Sequence, residues 1–381
     1  MIIIDKPYIS EFLIETIKKN DFKVLLNEVS KKYFAPNTLL TPKEFIEAYK
    51  ENKSIYMNSE NSLNWVCENL GQEKISKLID ISKNKILFRE KLKNIYPNYY
   101  FENIELKNLK NKNPKEIKYP IILKPAVGFL SLGVYTIENE NQWIETVDKI
   151  QKDIKQFSGI FPTNVVDTTN FIIEELIKGD EYAIDAYFNN KGEAVILNIF
   201  RHPFLNSKDV SDRLYYTSKE ILSKYLNKFE IVLNQIGKIG NFKNFPLHLE
   251  LRENEDNIIP IEINPMRFCG WCITDIAHYA WGINVYEYFL QNKKPNWKTI
   301  LKNSDSDFYY FTIGEIPSNI KNSEIKEILY DKYLENISNP LDIRKIDYKH
   351  NPIFAIVFGK TNDYNEITNL LTMKTDKYIV K

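Results

Sequence analysis

Phe245-Pro246-Leu247-His248-Leu249-Glu250-Leu251-Arg252, then Ile258-Ile259-Pro260-Ile261-Glu262-Ile263-Asn264-Pro265, is the stretch whose reading decides the fold class. Apolar and polar residues alternate with period two, the signature of a strand with two unlike faces. Leu247, Leu249 and Leu251 fall on one face, and His248, Glu250 and Arg252 on the other. The returning strand sets Ile261 and Ile263 against Glu262 and Asn264. A hairpin through 254–257 therefore gathers five polar side chains on one face. Glu250, Glu262 and Asn264 offer only hard oxygen donors, which suits Mg²⁺ or Mn²⁺. The plainer alternative is a hairpin with one solvated side.

Composition argues for the functional face. The chain has 381 residues with 51 Lys+Arg against 51 Asp+Glu, and only six of the cations are Arg. Between Lys243 and Lys293 lie 49 residues without one lysine, where the average frequency would place about six. Solvated faces elsewhere in this chain are written in Lys and Asn. This segment instead keeps Arg252 and Arg267, whose planar forks match carboxylate or phosphate.

Two further stretches could carry chemistry. In Tyr119-Pro-Ile-Ile-Leu-Lys124-Pro-Ala-Val-Gly128-Phe-Leu-Ser131-Leu-Gly133 a strand delivers one Lys, and a loop with Gly128, Ser131 and Gly133 follows before a second strand. A lysine beside exposed backbone N–H groups suits a polyphosphate. Because the loop joins two strands it is not a P-loop. In Phe171-Ile-Ile-Glu174-Glu175-Leu-Ile177-Lys-Gly179-Asp-Glu181, a buried strand breaks at Gly179 and restarts. A linker of this kind can hold an adenine edge by backbone N–H and C=O, with Glu181 accepting from ribose hydroxyls. Taken alone it reads better as a solvated acidic turn.

Around these stretches the chain reads as α/β. Ile2-Ile3-Ile4, a helix after Ser10, and 22–26 form a β-α-β start, the beginning of a parallel sheet. Thr41-Pro42-Lys43-Glu44 is a capping box, 54–57 a strand, and 63–70 a helix. No Gly-rich dinucleotide fingerprint is present. An amphipathic helix covers 84–95, and 102–118 reads as a surface connection. A β-rich middle has hairpins near 189–192 and 254–257. From about 305 a further unit shows strands at 308–313 and 353–358 and a helix at 362–371.

The zero net charge argues against a nucleic-acid partner. No apolar run is long enough to span a membrane, and Met1-Ile2-Ile3-Ile4-Asp5-Lys6 does not read as a signal peptide. Three cysteines, Cys67, Cys269 and Cys272, make no disulfide framework. The expectation is a soluble, reduced, cytoplasmic protein. Cys269-Gly270-Trp271-Cys272 does not follow a strand and open a helix as a redox motif should, so it reads as a glycine-bearing turn. His278, on a helix over 274–290, reads as a packing residue.

In order and spacing, these stretches resemble the ATP-grasp superfamily of D-alanine–D-alanine ligase and biotin carboxylase. The resemblance covers about 1–290. It implies an ATP-grasp fold: an N-terminal α/β domain at 1–82 and a two-lobed ATP-grasp domain at 83–300 with its hinge near 174–181. An extra C-terminal α/β unit is expected at 301–381, and residues 305–381 lie outside the resemblance. Ser82-Lys83-Asn84-Lys85 is similar to the family's helix start carrying a first ATP lysine, with Asn84 where Asp is common. Lys85, Lys124, Gly128, Ser131, Gly133, Glu174, Glu175, Ile177, Glu181 and Arg201 are then the expected nucleotide residues. Glu250, Glu262 and Asn264 are the expected metal ligands. Lys124, Arg252 and Arg267 are the expected catalytic residues, the two arginines holding a carboxylate or acyl phosphate. The family often has Arg directly after Asn-Pro, whereas here Met266 intervenes. Arg201, His202 and Arg213 are expected on a loop closing over the nucleotide. The implied reaction activates a small-molecule carboxylate with ATP and Mg²⁺, forming ADP and an acyl phosphate that an amine displaces. A phosphotransferase and a non-catalytic ATP-binding regulator are the alternatives, and a homodimer is one expected assembly.

Overall fold

The computed structural model describes residues 1–128, 133–157, 169–205, 209, 211–254 and 257–381. Its first sheet is wholly parallel, with strands Leu39–Leu40, Val24–Leu25, Ile2–Ile3 and Tyr56–Met57 side by side. Ser10 caps helix Glu11–Asn20 by accepting from the Leu13 N–H, and Thr41 with Glu44 closes a reciprocal capping box on helix Pro42–Asn52. The expected β-α-β opening is present.

Strands Phe101–Glu105, Asn170–Glu175, Ile121–Pro125 and Tyr135–Ile137 make a second, antiparallel sheet. Helix Glu140–Phe157 follows it, and the two enclose a separate core of residues such as Leu109, Ile121, Leu123, Trp143, Phe171 and Ile173. The expectation that 102–118 is only a surface connection is corrected here. Residues 101–105 are an edge strand paired to Asn170–Glu175, with Ile104 its one buried residue, and such an edge strand has no clean alternation to read.

The third sheet has eight strands. Their order is Ile258–Pro265, Phe245–Glu253, Asp180–Phe188, Ala194–His202, Leu214–Ser218, Phe308–Glu315, Ile353–Thr361 and Pro340–Lys345. The last three come from the 301–381 segment, which extends the sheet by hydrogen bonding along Leu214–Ser218. The amphipathic helix Lys219–Gly240 packs its buried face of Leu222, Tyr225, Phe229 and Leu233 on this sheet. One apolar core runs through the large sheet and the N-terminal domain together.

Residues 176–179 join the strand Asn170–Glu175 of the small sheet to Asp180–Phe188 of the large one. Gly179 has φ +120°, and a Cβ there would lie 2.4 Å from the Glu253 carbonyl oxygen. Only glycine lets the hinge pass so close to the hairpin of the large sheet. The helix expected over 274–290 is two helices, Ile276–Trp281 and Val285–Leu290. Gly282 ends the first at φ +67°, and the Asn284 side chain caps the second.

Candidate active site

A cleft of about 1090 Å³, open at its mouth, separates the small sheet from the large one. Lys85, Lys124, Gly128, Glu174, Glu175, Ile177, Glu181, Glu250, Arg252 and Glu262 all line it. Residues distant in sequence and expected at one site are thus brought together.

The hairpin has the register that alternation requires. His248 lies opposite Asn264 and Glu250 opposite Glu262, and a one-residue irregularity then sets Leu251 opposite Pro260. Asn264 donates from Nδ2 to Glu250 Oε1 at 3.1 Å, which leaves its carbonyl oxygen for another partner. Burial, with Glu262, Glu181 and Asp212 nearby, pushes the Glu250 carboxyl well above the usual range. Burial would also raise Glu262, but Lys85, Lys124 and Lys83 outweigh it and hold that carboxyl low. A buried pair of carboxylates, one kept charged and the other driven to protonate, is a donor set that a divalent cation would satisfy. No group of three His, Cys, Asp or Glu side chains forms a closed metal cage among the described residues. Two carboxylates and an amide fit Mg²⁺, which keeps water or phosphate oxygens for the rest of its shell.

Lys85 opens helix Lys85–Leu92, whose first N–H groups are capped by the Asn84 side chain. Asn therefore does the capping work of the more usual Asp. The Lys85 ammonium meets Glu262 Oε2 at 2.8 Å. Lys124 ends strand Ile121–Pro125 and is paired with Glu174 Oε1. Burial, reinforced by Lys85 and Arg89, draws Lys124 below the ordinary lysine value against the pull of Glu174. Glu174 itself, which burial would raise, is held at about 2 by Arg89 and Lys124.

At the hinge, the N–H groups of Glu175 and Leu176 are taken by Tyr100 and Pro120 carbonyls, while the N–H of Ile177 donates to no described residue. Glu181 is 2.9 Å from His202 Nδ1 through one oxygen and 3.0 Å from Arg252 Nε through the other. Gly133 adopts φ +74° beside Pro125, and Ser131 lies outside the described residues.

Four arginines differ from expectation. Arg252 is turned toward the hinge, where it grips Glu181 and donates to the Ile177 carbonyl at 2.8 Å, rather than toward a substrate carboxylate. The alternation that shares its face with Glu250 is correct, but two residues of strand carry it to the nucleotide end of the cleft. Arg267 is bound to Glu60 of the N-terminal domain, with Nη2 at 2.6 Å, and Lys83 holds the other Glu60 oxygen at 2.6 Å. The intervening Met266 has φ +64°, and its carbonyl accepts from Met57 of the N-terminal domain, so the backbone turns here. Arg201 does not line the cleft; it pairs with Asp180 at 2.8 Å, and its neighbour His202 lines the cleft instead. Adjacent strand residues point to opposite faces, so only one of the two can enter. Arg213 reaches Glu315 and the Leu371 carbonyl rather than the nucleotide cleft.

Sequence reading missed Arg89, Phe204, Asp209 and Asp212. The last three line the cleft from a loop with no periodicity to read. The Cys269–Cys272 turn is as expected: both thiols are buried, and burial pushes Cys272 up to about 11 and Cys269 well up. His278 is exposed, with its ring against Phe12 at 4.7 Å.

With this geometry in place, the likeness to known proteins is informative. Residues 117–275 match the ATP-grasp domain family. A D-alanine–D-alanine ligase of Petrotoga mobilis is 28% identical over 156 residues, a match spanning 39% of this chain and 46% of that protein. The chain thus matches less than half the length of that relative. Solved structures agree across nearly the whole chain. The L-amino acid ligase of Bacillus licheniformis superposes with a TM-score of 0.65 at 16% identity, covering 99% of this chain and 97% of that one. The biotin carboxylase of Campylobacter jejuni gives 0.64 at 13%, covering 100% and 91%. The N5-carboxyaminoimidazole ribonucleotide synthetase of Thermotoga maritima gives 0.64 at 14%, covering 99% and 98%. Residues 117–275 thus resemble an ATP-grasp domain, and nearly the whole chain shares the fold of these solved enzymes.

Proposed function

We propose that this protein is an ADP-forming ligase that activates a small carboxylate with ATP and joins it to an amine, with amino acids as the substrate class. The observation that carries the reading is the convergence of Lys85 and Lys124 with Glu250 and Glu262 in a single cleft that reaches the 174–181 hinge, with Asn264 bonded to Glu250 behind its wall. The amino-acid class is supported by the D-alanine–D-alanine ligase and L-amino acid ligase among the similar proteins.

In this reading the free Ile177 N–H meets the adenine edge, and Glu181, steadied by Arg252 and His202, accepts from the ribose. Lys124 and Lys85 offset charge on the phosphates. Glu250, Glu262 and Asn264 would hold Mg²⁺, which supplies charge neutralisation between the β- and γ-phosphates when bound. For that, Lys85 exchanges its Glu262 partner for phosphate oxygens. Arg267, fixed by Glu60 at the face of the N-terminal domain, is the arginine assigned to the substrate carboxylate in this reading. The chemistry is transfer of the γ-phosphoryl group to a carboxylate oxygen, followed by displacement of phosphate by the amine.

The test is incubation with Mg-ATP and pairs drawn from the L-amino acids and D-alanine, with ADP, phosphate and product mass followed together. ADP and phosphate in equal amounts, with a dipeptide-mass product, are expected. AMP and pyrophosphate would overturn the scheme, and ADP without free phosphate would show a phosphotransferase. Glu262→Gln should lower turnover at least ~100-fold, since it removes a charged metal donor.

A further inference from the structure

Arg89 touches neither the cleft nor the hairpin's polar side chains, yet it bonds to both lobes. It lies one helical turn after Lys85 in Lys85–Leu92 and is buried, 3% exposed. Its Nε donates to Glu174 Oε2 at 2.8 Å, and Tyr99 donates its hydroxyl to the same oxygen at 3.0 Å. Glu174 Oε1 is thereby left for Lys124. The other end of the guanidinium donates to the carbonyls of Pro260 and Ile261, the two residues before Glu262. The Tyr99 ring lies 4.5 Å from the guanidinium carbon.

We propose that Arg89 is a positioning residue for the nucleotide's outer phosphates, holding Lys124 of the small lobe at a fixed distance from Glu262 of the large one. This rests on the ATP-binding reading above. A triphosphate bridging the two lobes needs the lysine and the metal carboxylate set simultaneously. Lys124 reaches its place through Glu174, and Glu174 is oriented by Arg89 and Tyr99. The Glu262 strand is pinned by the same guanidinium. A guanidinium reaches these three acceptors from three separate nitrogens in one fixed plane, whereas an ammonium offers its three donors from a single nitrogen and cannot span them. Removing Arg89 leaves Glu174 with Lys124 as its one cationic partner beside the Tyr99 hydroxyl, so the lysine is drawn to Glu174 instead of to phosphate.

Calorimetric titration with Mg-ATP and, separately, AMP distinguishes this role from mere support of the fold. AMP fills the hinge end but lacks the β- and γ-phosphates. In Arg89→Met the dissociation constant for Mg-ATP should rise at least ~10-fold while that for AMP stays within about threefold. Arg89→Lys, which keeps the charge and loses the fork, should show a loss of about threefold for Mg-ATP alone. The inference is overturned if a folded Arg89→Met binds Mg-ATP within about twofold of the wild type, or if ATP and AMP weaken equally. Should Arg89→Met fail to fold, Arg89→Lys decides by the same ratio. A wild type that binds Mg-ATP without ligating anything would sink the ligase reading and leave this one standing; a wild type that binds no Mg-ATP would sink both.

Discussion

Five of the six arginines serve acceptors from distant parts of the chain. Arg89 joins Glu174 to two carbonyls of the Glu262 strand, Arg252 joins Glu181 to the hinge, and Arg213 joins Glu315 to the Leu371 carbonyl. Arg267 and Lys83 share the Glu60 carboxylate between the N-terminal domain and the large sheet. Burial would raise Glu60, but Lys83 and Arg267 outweigh it and hold it at about 2. A carboxyl held below its unfolded value stabilises the fold above about pH 4.5, and that contribution fades as pH falls toward 2. Glu60→Gln should therefore cost of order 2 kcal/mol near neutrality and show a flatter loss of stability in acid, measured by urea unfolding from pH 7 down to 3. An acid limb unchanged by the substitution would refute the assignment. The polar face of the hairpin was legible because alternation fixes which residues share a strand face. The arginine partners were not, since Glu60 stands 207 residues from Arg267 and nothing local couples them. Lysine depletion marked a segment that lines the cleft but could not tell which acceptors each arginine would serve.

Among the elements, the hinge and the turn after Arg267 depend on unusual backbone. Gly179→Ala would place a methyl group against the Glu253 carbonyl at a positive φ. A loss of about 3 kcal/mol in denaturant unfolding is expected, with weaker Mg-ATP binding because the hinge must shift. Trp271 and Cys272 are consecutive left-handed residues at φ +55° and +54°. Arg344, from the last strand of the large sheet, donates to the Cys272 carbonyl at 2.8 Å and to Asp275 at 2.7 Å. Arg344→Met leaves Asp275 buried without its cation and should cost about 3–5 kcal/mol. The freed turn should also expose Cys272 to alkylation at native pH, whereas the wild-type thiol stays inert. The capping boxes, hairpins and β-α-β opening were readable because they rest on contacts within a few residues. The edge strand Phe101–Glu105 was hidden because its one buried residue gives no period, and the helix break at Gly282 because the apolar pattern continues across it.

At the scale of the molecule, the small lobe has its own core while the N-terminal domain and large sheet share another. The cleft lies between these two bodies, joined by the hinge and by Arg89. The 301–381 segment is not apart from this plan: its strands complete the sheet, and its Arg344 buttresses the turn beyond the polar hairpin. No helix among the described residues is long and apolar enough to cross a membrane. The cleft brings two lysines and two carboxylates together between the lobes, with an amide bonded to one carboxylate, and the proposed phosphoryl transfer to a carboxylate rests on that grouping. The most direct measurement labels the carboxylate oxygens of the accepted amino acid with ¹⁸O and analyses the phosphate released during turnover by mass spectrometry. Transfer of one labelled oxygen into phosphate is the predicted result; unlabelled phosphate, with the label retained in the product or found in AMP, would contradict an acyl phosphate.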